Sequence, residues 1–270
     1  MIILIAESKT MEEHERPVTP DEFAAHCPAG ETTADETMAR VARMSPSDLA
    51  AIVKISGPMA ARLLRMAYEF PNKSAGLRAI EAYTGVVFKN LDYRSLSDAQ
   101  KSDTSARVRI ISSLYGWLRP DDIVKPYRFD YTTRLSPDGT ALCTFLQKDV
   151  TATLISEITK TGTTDVLNLL PADAAKCIDW KTVTGHAKIW KADFIEHDGS
   201  AVRSPHAAKL KAMRGQLLRA VITNRLQTPA DIAAFENDIM MPASVNPDAG
   251  RITFYVWAPP VPRPLQAFRV

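Results

Sequence analysis

The sequence predicts an α/β fold, mixed in the α+β sense, as one compact unit over residues 1–270: a largely buried mixed sheet flanked by helices. Three observations predict it. Ile2–Ala6 is a continuous apolar run and Val166–Leu170 an apolar run broken only by Asn168, the pattern of strands covered on both faces. Amphipathic helical segments interleave with such runs rather than collecting at one end of the chain. No repeat, low-complexity tract or linker divides the 270 residues, a length ample for one real core.

Composition narrows the function classes. The formal net charge is only +2, so a polyanion would have to be met by a local patch and not by the field of the whole molecule. Cys27, Cys143 and Cys177 are odd in number and form no CxxC pair, which excludes a disulfide framework and a zinc ribbon. The five histidines show no ligand spacing, so no metal site is expected. GxxxxGK[ST], GxGxxG, GxSxG and HExxH are all absent, and no cofactor is implied. Met1 leads directly into a short apolar run without a basic leader, and nothing approaches the ~20 apolar residues of a membrane span. A cytoplasmic protein without membrane contact is the expectation.

In chain order, the first strand ends at Glu7-Ser8-Lys9-Thr10. The carboxyl ends of strands in open α/β sheets are where ligand groups collect, which makes Lys9 a candidate against the alternative of a solvated lysine. Thr19-Pro20, Ser45-Pro46, Ser204-Pro205 and Thr228-Pro229 each read as a helix start, with a capping hydroxyl and proline at the first helical position. Residues 45–70 read as two helices around Lys54-Ile55-Ser56-Gly57-Pro58, a helix-hairpin-helix-like element. Its second helix would offer free N–H groups to a phosphate, with Lys54, Arg62 and Arg65 nearby. An ordinary hairpin with solvated arginines is the alternative. Thr84–Phe88 reads as a second strand and Asp149–Lys160 as a helix ended by Gly162.

Asn168 lies inside the Val166–Leu170 run and needs a partner if buried; Asp173 follows as a second loop candidate. His186–Glu196 and Arg251–Trp257 alternate as strands, and a Pro-rich tail from Ala258 is expected along the surface. The helix predicted over Ser204–Gln227 turns Leu210, Met213, Leu217, Ala220 and Val221 to one face. Arg214 sits on the border of that face, beside Lys211 and Arg225, where it either snorkels or lines a cleft. Gly215 next to it suggests close approach by another backbone.

The least ordinary stretch is Arg107–Arg134. Tyr115-Gly116-Trp117, Arg119-Pro120 and Lys125-Pro126-Tyr127-Arg128 predict a stiff, shaped loop after a buried strand, with Arg109, Arg119, Lys125 and Arg128 as anion-binding candidates. A packed connection whose aromatics fill core is the other reading. Asp121 and Asp122 are expected to cap the turn, and Ser112 and Ser113 lack an identifiable base.

These blocks together resemble the YaaA family of bacterial peroxide-stress proteins over most of the chain. The most specific block is Arg109–Asp130, with its SSLYGWLRPDDIVKPYRFD run. Ser8-Lys9-Thr10-Met11, Lys54-Ile55-Ser56, Ala82–Gly85 through Leu91-Asp92, and Lys211–Gly215 ahead of Asn224–Leu226 support it. Departures are Ser113 for the usual Gly, Asp130 for Glu, Leu169–Asp173 for the family's LASxE, and Glu7 before Ser8. The resemblance implies a hydroperoxide-stress protein with a positively charged cleft that binds DNA and limits iron-driven damage. In that reading Lys54, Ser56, Gly57, Arg62, Arg65, Arg109, Arg119, Lys125, Tyr127, Arg128, Lys211 and Arg214 meet DNA, and Tyr115, Trp117 and Tyr127 stack on an exposed base. The alternative is an enzyme acting on a nucleotide or modified base in the same cleft, with Asp130, Asp173, Lys9 and Tyr115 as catalytic candidates.

Overall fold

The computed structural model describes residues 1–197 and 201–257. In chain order the elements are β1 (Ile2–Ala6), β2 (Arg16–Pro17), α1 (Pro20–Ala25), α2 (Glu31–Val41), α3 (Pro46–Val53), α4 (Gly57–Glu69), β3 (Ala75–Arg78), α5 (Ala79–Ala82), α6 (Val86–Leu91) and α7 (Asp98–Arg107). There follow β4 (Val108–Ser112), β5 (Gly116–Leu118), β6 (Ile123–Val124), α8 (Leu142–Thr161), β7 (Asp165–Asn168) and α9 (Trp180–Val183). The last are β8 (Lys188–His197), β9 (Val202–Arg203), α10 (Ala207–Thr223), α11 (Pro229–Ala234), β10 (Met240–Asn246) and β11 (Arg251–Val256). None of these helices is long and apolar enough to cross a membrane.

The main sheet runs β10-β11-β8-β7-β1-β4-β5, with β9 pairing β8, and is mixed as expected. Strands β4, β1, β7, β8 and β11 are parallel; β5 and β10 close the two edges antiparallel. Taken in chain order, the parallel strands follow the 2-1-3-4-5 sequence of a doubly wound sheet. The chain moves from β1 outward to β4, then returns to β7 on the other side of β1. The carboxyl ends of β1 and β7 therefore flank the switch point. A small second sheet, β2-β3-β6, lies apart.

Side-chain alternation divides the core. Ile3 and Ile5 join Val108, Ile110, Leu167 and the helices α2–α4, α6 and α10 on one face. Ile2, Leu4 and Ala6 join Ile111, Val166 and α8 on the other. A strand buried on both faces has no reason to alternate in polarity, which is why Ile2–Ala6 is unbroken.

Three helix starts are as read: Thr19, Ser45 and Thr228 each accept the N–H of the acid three residues on. Ser204-Pro205 is a correction, because α10 begins later, with His206 as its cap. Thr84–Phe88 is another. Gly85 stands at the cap of α6, and Phe88 and Leu91 are buried three residues apart while Val86 is exposed, a helical and not a strand period. Helix α8 also starts earlier than predicted, at Leu142, and ends at Gly162 in the left-handed region. The Pro-rich tail from Ala258 lies outside the described residues.

The Arg107–Arg134 stretch is corrected most. It supplies β4, β5 and β6 and is irregular from Lys125 on, and it takes the packed-connection reading, buried almost throughout and not presented to solvent. Arg119 remains exposed, and Asp122 accepts the Arg119 N–H at 2.8 Å to cap the turn.

Helix α10 lies against α6 at Gly215 as the sequence suggests. A Cβ there would meet the Val87 carbonyl oxygen at 2.3 Å and Asn90 Cβ at 2.8 Å. Gly215→Ala is expected to destabilise the protein by about 2–3 kcal/mol, through backbone overpacking, in urea unfolding. An unchanged midpoint would mean that α6 and α10 are free to separate.

Candidate functional site

At the switch point a cavity of about 320 Å³ opens beside the ends of β1 and β7. Its apolar part includes Ile5, Val87, Phe88 and Phe129; its polar part is Glu7, Ser8, Lys9, Thr10, Asp130, Tyr131, Asp173, Lys211 and Arg214. Lys9, Asp130, Asp173, Lys211 and Arg214, scattered over the sequence, are thus brought together. Gly85 permits this closure: a Cβ on it would stand 2.1 Å from Ser8 Oγ. Lys9 Nζ pairs with Asp130 at 2.5 Å, both side chains well exposed, so the pair orients more than it stabilises. Arg128 donates to the Lys9 carbonyl and holds the loop from behind. Asp173 caps the turn after β7 by accepting the Ala174 N–H at 3.0 Å.

A larger cavity, about 870 Å³, lies on the other side of Arg214 and includes Asn168, Trp180, Lys191, Asp193 and Arg251. Asn168 Oδ1 is satisfied by the Leu170 N–H at 2.9 Å. Arg214 belongs to both cavities, is half-buried, and makes no hydrogen bond or ion pair with the described residues. Burial lowers its pKa, against the opposing fields of Asp173 and Asp193. A partly buried guanidinium is costly unless it meets an anion or reaches water.

Glu7 was missed in the sequence. It directly follows β1, where the carboxyl-end rule that singled out Lys9 applies equally. Its Oε2 accepts the Ser113 N–H at 2.9 Å and the Tyr127 hydroxyl. Tyr127 Oη is also 2.7 Å from both Tyr83 Oη and Ser112 Oγ. Burial pushes the Glu7 carboxyl up to about 7, against the pull of the Ser113, Tyr127 and Ser112 donors.

Several predicted anion binders are spoken for inside the protein. Arg109 is buried, bonded to Glu157 at 2.6 Å and to the carbonyls of Ser105, Ala106 and Val108 that end α7. Lys125 is buried between Glu15 at 2.9 Å and the Asn72 carbonyl at 2.9 Å. Tyr115, Trp117 and Tyr127 are all buried and offer no face for stacking. Their hydroxyl and indole groups are used internally: Tyr115 Oη accepts the Lys125 N–H at 3.0 Å, and Trp117 Nε1 donates to Glu157 at 3.3 Å.

Residues 45–70 do form a helical hairpin. Ser45 caps α3, Lys54 turns in the left-handed region at φ 58°, and Leu49, Val53, Ala60, Leu63 and Ala67 pack inward. Ser56 makes no side-chain cap to α4, and Gly57 faces open space. Arg62 pairs with Glu13. Arg62, Arg65 and Lys125 share a cavity of about 250 Å³ with Glu13, Glu15 and Glu69, so the charge there is balanced. Arg109 and Lys125, being paired internally, are not available to a cationic cleft.

The titration of Glu7 has a stability signature. Its folded pKa of about 7 lies above the ordinary 4.5, so the native state binds more protons in that window. Stability from this group is present below about pH 4.5 and is lost as pH rises toward 7. Asp122, pushed by burial to about 7, contributes in the same direction. Glu7→Gln is expected to remove the Glu7 share, gaining stability relative to the parent between about pH 5 and about pH 8 in urea unfolding. A pH-independent difference would show that Glu7 titrates normally.

The sequence model described as peroxide stress protein YaaA matches residues 1–239. A UPF0246 protein of Parabacteroides distasonis is 31% identical over 238 residues, covering 87% of this chain and 91% of the relative. One from Shewanella baltica is 31% identical over 245 residues, with 87% and 91% covered. One from Cupriavidus metallidurans is 29% identical over 248 residues, with 88% and 92% covered. The match spans the switch-point pocket, the helical hairpin and the buried central stretch alike, and this chain belongs to the peroxide stress protein YaaA family.

Proposed function

We propose that this protein serves the oxidative-stress response by acting on a nucleotide-class molecule held at the switch point, its anionic group on Arg214. The family supports the stress role. The observation that carries the ligand class is Arg214 itself, a half-buried guanidinium without a protein partner among the described residues, standing where two cavities meet. Charge supports the division of labour. The larger cavity has Lys188, Lys191, Arg214 and Arg251 against Asp193 and Asp248, which suits a phosphate. The smaller one has three cations against three carboxylates and an apolar wall, which suits a base or sugar and acid–base chemistry.

The test is thermal shift and calorimetry with a panel of nucleosides and nucleoside mono-, di- and triphosphates. Phosphorylated members are expected to bind, and Arg214→Ala to weaken them at least tenfold, about 1.4 kcal/mol or more, without unfolding the protein. No binding by any member, or equal binding by the variant, overturns the reading.

A second reading rests on the uncapped start of α4, where Ser56, Gly57 and exposed Lys54 leave N–H groups open to a DNA phosphate. Fluorescence anisotropy with duplex, single-stranded and branched DNA is then expected to show affinity falling with salt. The slope should be shallower when Arg62 and Arg65 are both changed to Ala. Absence of binding at low salt removes this reading and leaves the hairpin as scaffold.

A further inference from the structure

The hydrogen bonds behind Glu7 have a direction that donor counting settles. Ser112 Oγ accepts the N–H groups of Leu114 at 3.1 Å and Tyr115 at 3.0 Å. Its own proton is left for Tyr127 Oη. The Tyr83 hydroxyl has Tyr127 Oη as its one hydrogen-bond partner among the described residues and donates there too. Tyr127 oxygen therefore accepts twice, and its single proton goes to Glu7 Oε2. The Ser113 N–H adds a second donor to that oxygen. Everything behind the carboxyl points donors at it, the arrangement of an acceptor and not of a resting acid.

The other oxygen is different. Glu7 Oε1 accepts no hydrogen bond from the described residues, yet it is not among the buried unpartnered side-chain atoms, so it is open to the cavity that Glu7 lines. Ser113 Oγ is among those atoms: it is fully buried without a partner and lies beside the same carboxyl. Glu7 and Ser113 are also two positions where this chain departs from the family pattern its motifs resemble, and they touch.

We propose that Glu7 is the proton acceptor of the pocket, its Oε1 taking a proton from an O–H or N–H of the bound molecule while Tyr127 and the Ser113 amide hold Oε2. The ligand's O–H or N–H bond breaks, an Oε1–H bond forms, the electron pair stays on the ligand, and no electron is exchanged. This deepens the nucleotide reading, on which the identity of the proton donor rests; the base itself belongs to the protein alone. A carboxyl titrating near 7 is matched to such a role at neutral pH.

The groups that face it set its charge. Tyr83, Tyr127 and Tyr131 stay neutral, their hydroxyls pushed up first by burial and then by the Glu7 charge. Lys9 and Asp130 cancel as a pair, while Asp173, Lys211 and Arg214 line the same cavity. Cys177 is held as the thiol by burial, with smaller contributions from Cys143 and Glu7.

The proposal is tested on the full chain by modification with a water-soluble carbodiimide and glycine ethyl ester, which capture protonated, reachable carboxyls. Peptide mass spectrometry follows Glu7 and exposed Glu36 from about pH 3.5 to about pH 9. Glu7 is expected to lose half of its labelling near pH 7 and, at equal accessibility, to label on the order of a hundredfold faster there than an ordinary exposed carboxyl such as Glu36. Tyr127→Phe, which removes a donor to the ionised form, is expected to move the midpoint higher. A Glu7 that never labels while Glu36 does, or one whose midpoint coincides with that of Glu36, overturns the proposal. Failure of the nucleotide panel leaves the labelling result unchanged, so the two readings fail separately.

Discussion

The hydroxyl of Tyr127 is the point on which the site's geometry depends. It reaches Ser112 at the end of β4, Tyr83 at the end of α5, and Glu7 at the end of β1. Three segments far apart in sequence are thereby registered to one atom. Such a network is valuable only when every member is satisfied, because a half-satisfied buried hydroxyl costs more than an apolar replacement. Here the backbone N–H groups of Leu114 and Tyr115 complete Ser112, and the Lys125 N–H completes Tyr115. The central stretch is therefore a keystone whose polarity is consumed in holding the ends of the strands together.

A second knot lies on the opposite face of the sheet. Arg109, on β4, points toward α8 and meets Glu157, which also takes the indole N–H of Trp117. The remaining guanidinium N–H groups satisfy carbonyls at the end of α7. A buried pair gains little over an apolar pair of the same shape, but removing one partner strands the other. The pair ties α8 and the end of α7 to β4.

Much of the architecture could be read from residues alone because the relevant signals are local. Five consecutive apolar residues at Ile2–Ala6, Thr19, Ser45 and Thr228 before prolines, and Gly215 within α10 all report on their immediate surroundings. The misreadings share a cause. Whether an arginine faces water or a carboxylate is decided by residues elsewhere: Arg109 by Glu157, 48 positions on, and Lys125 by Glu15, 110 positions back. Nothing in Lys125-Pro126-Tyr127 announces that all three are buried. The same holds in reverse for Glu7, whose neighbours on β4 and after β6 are invisible from its own segment. Arg214's place on the border of the apolar face was legible because a position on the helical wheel is a property of one helix.

Gly215 has a consequence for how the pocket admits a molecule. Helix α6 carries Val87 and Phe88 on one wall, and α10 carries Lys211 and Arg214 on the other; their backbones meet at Gly215. Two walls in backbone contact behave as one rigid jaw. The opposing jaw is the loop after β1, held by the solvent-exposed Lys9–Asp130 pair and the Arg128 contact, which water and salt weaken readily. The two sides of the pocket are thus fastened unequally, one by packed backbone and the other by polar contacts at the solvent edge.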